Sequence, residues 1–332
     1  MNAPALTRSR RVGDAAIADR LRRETNAEVL WTAADRGRYA TDASIYQVEP
    51  VGVVVPRSME DVATAIAIAR EAGVPVLARG AGTSQCGQTV NQAIVLDCTK
   101  YLRRVIGTQG DTVTVEPGIV LSHLNAAVRD GKKFFPVDPS THLRCTIGGM
   151  AGNNSCGSKS IVYGLMADNV VAIDAFLADG TQARFGEQSE APAALLERLH
   201  SIGAAEATEI AEKFPKQLRR VGGYNLETLV PAHASSNSPR NLARLLVGSE
   251  GTLAFSTALT LKLWPLKPRK VLGICQFPTF RAAMEAARHL VTLKPEAVEL
   301  VDATMIALGR SIPIFRATID AMVIGEPQAL LI

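Results

Sequence analysis

The chain has 332 residues, 47% hydrophobic, 20% charged and only 5% aromatic, with a formal net charge of +4. That length supports about two domains with sizeable cores. The shortage of aromatic residues and the weak charge argue against a nucleic-acid module that stacks bases or coats phosphates.

Most of the excess charge sits between Met1 and Asn26, where Arg8, Arg10, Arg11, Arg20, Arg22 and Arg23 face Asp14, Asp19 and Glu24. The interspersed acids, with no apolar core following, make this a solvated basic helix rather than a targeting leader. No apolar run reaches the length of a transmembrane segment. The cysteines (Cys86, Cys98, Cys145, Cys156 and Cys275) are odd in number and widely spaced, and no secretory signal precedes them. Reduced thiols in a cytoplasmic protein fit that pattern.

Residues 51–55, VGVVV, are a short buried strand. Ser58 with Asp61 then forms a capping box, and Met59, Val62, Ile66 and Ala69 repeat at helical spacing until Gly73. VPVLA (74–78) and AIVLDCT (93–99) are further strands, so the glycine-rich stretch between them joins strand to strand. TVTVEPG (112–118) is a fourth strand, and Leu121, Leu124 and Val128 mark the next helix, which ends near Gly131. From Phe134 to Gly164 the chain is small and polar with little periodicity, and a loop of that length in a compact domain is usually functional. Residues 170–185 form a hairpin turning at Asp179-Gly180. Glu187 to Leu229 is helical and carries a basic face at Lys216, Arg219 and Arg220. Residues 244–265 return to strands, interrupted at Gly248–Gly251, and Pro265 and Pro268 mark a boundary. A strand–helix unit follows. The sequence stops inside the apolar run EPQALLI, which suggests a fragment with part of its last domain missing.

Three stretches share one chemistry: Gly80–Gly87, Gly148–Gly157 and Gly248–Gly251. Each exposes backbone N–H groups and lacks the side chains that would block approach, which suits a phosphate. Three of them suggest one large phosphate-bearing ligand. The dinucleotide fingerprint does not fit. A G-x-G-x-x-G loop opens a helix, whereas Gly80-Ala81-Gly82 is followed next by Gly87 and then by a strand. A phosphate loop ending in Gly-Lys-Ser/Thr is also absent.

The segments PVLARGAGTSQCGQTV, PVDPSTHLRCTIGGMAGNNSCG, YGLMADNVVAIDAFLADGT and VGSEGTLAFSTALTLKLWP resemble the FAD-linked oxidases of the p-cresol methylhydroxylase and vanillyl-alcohol oxidase type. Within that family the chain is similar to the bacterial D-2-hydroxyacid dehydrogenases (D-lactate, glycolate and D-2-hydroxyglutarate types), in particular those fused to an iron–sulfur domain. The resemblance implies an α+β fold: a leader at 1–48, a two-lobed FAD-binding domain at 49–266 (lobes about 49–145 and 146–266), and a partial cap or substrate domain of α/β type at 267–332. It implies that backbone amides of Gly80, Ala81, Gly82, Thr83 and Ser84 hold the FAD pyrophosphate, with Gly87 and Gln88 closing the loop. Asp138, Thr146, Gly148, Gly149, Asn154 and Gly157 would line the flavin and ribityl region, with Tyr163 and Gly164 nearby. Val171 and Ile173 would flank the adenine, and Glu250 and Gly251 would complete the pocket. Tyr224 and Asn225 resemble a segment near the flavin, with plain packing as the alternative.

The implied reaction is oxidation of a D-2-hydroxy acid to the 2-oxo acid, with hydride passing to flavin while a base takes the hydroxyl proton. Electrons then go to an iron–sulfur domain or a quinone-linked carrier, in a cytoplasmic setting or at the face of the inner membrane. The C-x-x-C-type spacing of iron–sulfur ligands is absent, as is the family's histidine-rich cap motif, so no catalytic base is assigned. Arg144 is either a substrate-carboxylate clamp or a salt-bridge residue. His142, Cys145 and Cys156 lack the converging fourth ligand of a zinc site and read as residues packed under the loop. His123 reads as a helix-face residue. Two rivals remain: an NADPH-dependent flavin reductase of the same fold, and a flavin-binding electron-relay module without turnover.

Covalent members of the family place a histidine where this chain has Thr83, or a cysteine where it has Arg144. FAD is therefore expected to be non-covalent. Acid precipitation of the flavin-loaded protein should leave the yellow colour in the supernatant, and flavin retained in the washed pellet would contradict this.

Overall fold

The computed structural model describes residues 11–230 and 241–332; Arg8 and Arg10 of the basic leader lie outside them. The first unit begins with α1 (Ala15–Glu24), whose N-terminus is capped by Asp14 accepting from the N–H groups of Ala16 and Ile17. Only one face of α1 is solvated. Ile17, Ala18 and Leu21 are buried against α3 (Met59–Glu71), because apolar residues at i, i+1 and i+4 share a face. Between them lie β1 (Glu28–Leu30), α2 (Ala33–Tyr39) and β2 (Gly52–Val55), and after α3 come β3 (Val76–Arg79) and β4 (Ile94–Asp97).

The strand order is β1-β2-β4-β3, with β4 parallel to both β2 and β3. Adjacent parallel strands are usually joined through a helix. Here residues 80–93 make the connection without one. The capping box expected at α3 is half-formed. Ser58 accepts from the Asp61 N–H at 3.3 Å, but the Asp61 carboxylate takes the N–H groups of Asn26 and Arg57, each at 2.8 Å. Asp61 thereby anchors the helix start to the segment after α1.

The second unit runs through β5 (Val105–Gln109), β6 (Thr112–Val115), α4 (Leu121–Ala127), β7 (Lys133–Phe134), α5 (Ile147–Gly152), α6 (Ser160–Tyr163), α7 (Met166–Asn169), β8 (Val170–Phe176) and β9 (Gln182–Phe185). It continues with α8 (Ala193–Ala205), α9 (Ala207–Lys213), α10 (Ala243–Leu246), β10 (Phe255–Lys262) and β11 (Trp264–Pro265). Its antiparallel sheet has the order β5-β6-β10-β8-β9. The β8–β9 hairpin turns as expected, with Gly180 at φ +88° and the Leu177 N–H donating to the Thr181 carbonyl at 2.9 Å.

Two expectations are corrected. Residues 244–247 begin in a helical turn rather than a strand, because Asn241 accepts from the Ala243 N–H and donates to the carbonyls of Val170 and Val171, pinning α10 onto β8. Lys216, Arg219 and Arg220 lie beyond the end of α9 and form no helix face. Arg220 is instead half-buried, paired with Glu227 and stacked over the Phe214 ring, and Arg219 donates to the Gly157 carbonyl.

Phe176 at the end of β8 and Phe255 at the start of β10 pack into the core of the first unit, which joins the two sheets. The remaining residues form β12 (Cys275–Phe277), α11 (Phe280–Leu290), β13 (Leu300–Asp302), α12 (Ala303–Ser311), α13 (Pro313–Met322) and β14 (Ala329–Leu331), with β14 in the middle of an antiparallel sheet. Tyr163 donates to Glu296 at 2.6 Å and Lys267 pairs with the same carboxylate at 3.7 Å, tying this sheet's connections to the second unit.

Because Leu21 is fully buried in the core of the first unit, Leu21→Ala should cost roughly 2–5 kcal/mol in urea unfolding. A change below about 0.5 kcal/mol, the range of surface substitutions, would mean that α1 does not belong to that core.

Candidate functional site

The three glycine stretches meet in one cleft between the first two sheets, lined from β3 and its loop (Arg79, Gly80, Ser84, Gln88), from the start of α5 (Thr146, Gly148, Gly149, Gly152) and from the turn before β10 (Ser249, Glu250, Gly251). The cleft holds a cavity of about 90 Å³ and opens to solvent.

Each pair of stretches is tied together. At Gly80 a Cβ would collide with the Thr146 hydroxyl, which itself caps α5 by accepting from the Gly149 N–H at 3.3 Å. Only glycine allows the first loop to lie this close to the second. The third turn docks on α5 through the backbone: Gly248 N–H to the Ala151 carbonyl at 2.8 Å, and Glu250 N–H to the Gly152 carbonyl at 2.9 Å. Across the cleft, Gln88 Nε2 donates to Glu250 Oε1 at 3.3 Å. The third turn reaches this position through left-handed backbone at Gly248, Glu250 and Gly251 (φ +87°, +52° and +75°). That conformation is strained for a glutamate.

Arg79, at the root of the first loop, was not singled out by the sequence. Its guanidinium donates to the Thr89 carbonyl at 2.8 Å and the Thr41 carbonyl at 2.9 Å, and sits 5.7 Å from the Tyr39 ring centroid. Desolvation lowers its pKa. An arginine ending an apolar strand is the only trace of this role in the sequence. Around it, Tyr39 donates to Asp97 at 2.6 Å, and Thr89 donates to Asp42 at 2.7 Å. Burial and the Asp97 carboxylate raise the Tyr39 phenol. Burial also pushes the Glu250 carboxyl upward, against the Gln88 hydrogen bond, and raises the Cys98 thiol in the cleft floor.

The other expected site residues are placed as follows. Ala81, Gly82, Thr83 and Gly87 lie in the first loop without lining the cleft. Asp138 accepts from the Lys159 N–H at 3.2 Å and the Ser158 hydroxyl at 3.1 Å, bracing the segment around Gly157. Asn154 is buried and bridges the Arg220 carbonyl and the Ala167 N–H, and with Gly164 it borders a separate cavity next to α7. Tyr163 lies edge-on between Phe134 and Trp264, with its hydroxyl on Glu296. Ile173 is a core residue of β8, and the Val171 carbonyl accepts from Asn241. Neither lines the cleft. The Arg144 side chain is exposed and forms no ion pair among the described residues. His142 is exposed and Cys145 buried, and no group of three or more His, Cys, Asp or Glu among the described residues could hold a metal. His123 is exposed on α4. Tyr224 bonds to Thr252 at 2.7 Å, and Asn225 donates to the carbonyls of Arg244 and Val247.

A cleft floored by bare backbone, with one buried arginine at the root of its first loop, fits a diphosphate-bearing cofactor. Residues 50–186 match the family described as FAD binding domain. Its relatives include D-2-hydroxyglutarate dehydrogenase of Pantoea ananatis, 36% identical over 299 residues covering 83% of this chain and 28% of that one. They also include glycolate oxidase subunit GlcD of Bacillus subtilis, 29% identical, covering 81% and 49%. An alkyldihydroxyacetonephosphate synthase structure superposes with a TM-score of 0.62 at 17% identity over 90% of this chain and 51% of that chain, so the two share a fold, that of the p-cresol methylhydroxylase/vanillyl-alcohol oxidase type. The chain spans from about a quarter to half of the length of these relatives.

Gly80→Ala should weaken FAD binding by about tenfold or more, since a shift of the first loop misplaces its amides. Thr146→Ala in the same protein should restore part of the loss by making room. Fluorescence titration of the apoprotein with FAD checks both; unchanged affinity in Gly80→Ala would show that the contact does not shape the site.

Proposed function

We propose that this chain is the FAD-binding part of a dehydrogenase that oxidises a D-2-hydroxy acid to the 2-oxo acid. The observation that carries the reading is the convergence of three glycine-rich stretches, far apart in sequence, on one cleft between two sheets. The names of the relatives, D-2-hydroxyglutarate dehydrogenase and glycolate oxidase subunit, supply the substrate class.

In this reading the backbone of Gly80 and Ser84 holds the diphosphate, with Ala81, Gly82 and Thr83 shaping the loop between them and Gly87 and Gln88 closing it. Thr146, Gly148 and Gly149 shape the opposite wall, and Glu250 and Gly251 close the third side. Asp138, Asn154, Gly157, Tyr163, Gly164, Val171 and Ile173 support that frame from behind it. When bound, FAD supplies the hydride acceptor. Thr83 and Arg144 stand where covalent attachment would need a histidine or a cysteine, so the cofactor is dissociable. Exposed Arg144 is available as a clamp for a substrate carboxylate. The domain plan is a leader at 1–48, the FAD-binding domain at 49–266 and a substrate-domain portion at 267–332. An iron–sulfur domain or a quinone-linked carrier is the proposed electron acceptor.

Among the described residues, the ionisable groups lining the cleft are Arg79, Cys98 and Glu250, with no histidine. A general base needs a pKa near the working pH and hydrogen-bond reach of its proton. Arg79 and Cys98 do not meet that need, and the Glu250 carboxylate is engaged by the Gln88 amide. The flavin-loaded 332-residue chain should therefore show slow or no turnover while binding FAD. Anaerobic mixing with D-2-hydroxyglutarate, D-lactate or NADPH, followed by flavin absorbance, tests the reading. Bleaching by a hydroxy acid supports it, and rapid bleaching by NADPH alone would favour a flavin reductase. Fast steady-state turnover would contradict the expectation for the base.

A further inference from the structure

The Gln88–Glu250 contact has an unusual imbalance. Gln88 Nε2 donates to Glu250 Oε1, yet Gln88 Oε1 is buried and has no hydrogen-bond partner. A buried acceptor left unpaired is costly. A carboxylate has no hydrogen to offer, so it satisfies only the N–H side of the amide. A protonated carboxyl can satisfy both sides, because its C=O accepts from Nε2 while its O–H donates to Oε1.

Among the described residues no cation compensates Glu250. The Arg79 guanidinium is turned onto the carbonyls of Thr41 and Thr89. Of the other ionisable groups packed around the cleft, Cys98 is fully buried, Asp42 is held by Thr89 and Ser44, and Tyr224 is bonded to the Thr252 hydroxyl. α5 contributes no charged side chain. Burial already favours the neutral acid.

We propose that Glu250 takes up one proton from solvent as the FAD diphosphate enters the cleft, and that the neutral acid then closes a two-hydrogen-bond pair with the Gln88 amide, latching the first loop to the third. This rests on the FAD reading above. A diphosphate excludes water from the cleft and adds negative charge beside Glu250, and both effects disfavour its carboxylate. The sign follows from linkage. The bound-state pKa lies above that of the apoprotein, so affinity is full below the apoprotein pKa and falls as pH rises toward the bound-state pKa. The diphosphate itself keeps its charge throughout this range.

Calorimetric titration of the apoprotein with FAD at several pH values between about 5 and 8.5, in buffers of different ionisation enthalpy, counts the protons taken up. The wild type should take up a fraction of a proton that peaks near one, and its Kd should rise by up to about tenfold per pH unit across that window. Glu250→Gln should take up none, vary by less than about twofold in Kd, and bind at least as tightly as wild type at the alkaline end. Gln88→Leu, which removes the amide partner, should shift the wild-type profile. Zero proton uptake by the wild type, or affinity that rises with pH, would overturn the latch even if Glu250→Gln failed to fold. Failure of the wild type to bind FAD at any pH would overturn the cofactor reading, and the latch with it.

Discussion

The geometry of the cleft depends on one buried cation. The chain must pass from β3 to the neighbouring parallel strand β4 through residues 80–93 with no helix to stiffen the crossover. Arg79 supplies the stiffness. Its guanidinium joins the carbonyl of Thr89, far along the loop, to that of Thr41 in the strap before β2. Removing it would leave two carbonyls short of a donor, at roughly 1–3 kcal/mol for each that stays buried. A lysine could not span both with a planar fork. The same charge lies against Gly82, so one residue both holds the loop's shape and makes its amides more attractive to an anion.

The two sheets then set the cleft's width. Phe176 and Phe255 leave their own sheet to pack under α3 and its neighbours, which makes the joint between the units a continuous apolar core. Thr146 and Glu250 therefore reach the first loop from a sheet whose position is fixed by packing. The hydrogen bonds across the cleft are few and long by comparison. Rigidity comes from the frame, and adaptability is left to Gln88 and Glu250.

Much of this was legible in the sequence. Glycine content marked all three stretches, and the alternation of apolar runs with Gly73, Gly131 and Gly180 marked most strands and helices of the first two units. Arg79 was not legible, because a lone arginine after VPVLA reads as a strand end reaching solvent. Nor were α5, α6 and α7. The turns of α5 and α7 are set by Thr146 and Asp168 acting locally, and four to six residues are too few to show a period. For the same reason the sequence grouped Asn154 and Tyr163 with Thr146, although Asn154 bonds to Ala167 of α7 and Tyr163 packs on Trp264 of β11. Residues 244–247 misled because LLV reads as a strand until Asn241 is seen to pin its turn to β8. The latch partners were visible as residue types, but their meeting depends on a contact between positions 162 apart.

The third sheet places its central strand last in sequence order. β12 and β13 both pair with β14 and not with each other. Neither edge strand has a partner until residues 329–331 have been synthesised, so α11, α12 and α13 have no assembled sheet to cover before then. The first two sheets draw all their strands from residues before 263 and can close earlier. On the ribosome, where domains fold as the chain emerges, the cleft would be built first. The third sheet would then assemble late, with loop-closure entropy spent across residues 303–328 before β13 pairs with β14 and across residues 278–328 before β12 does.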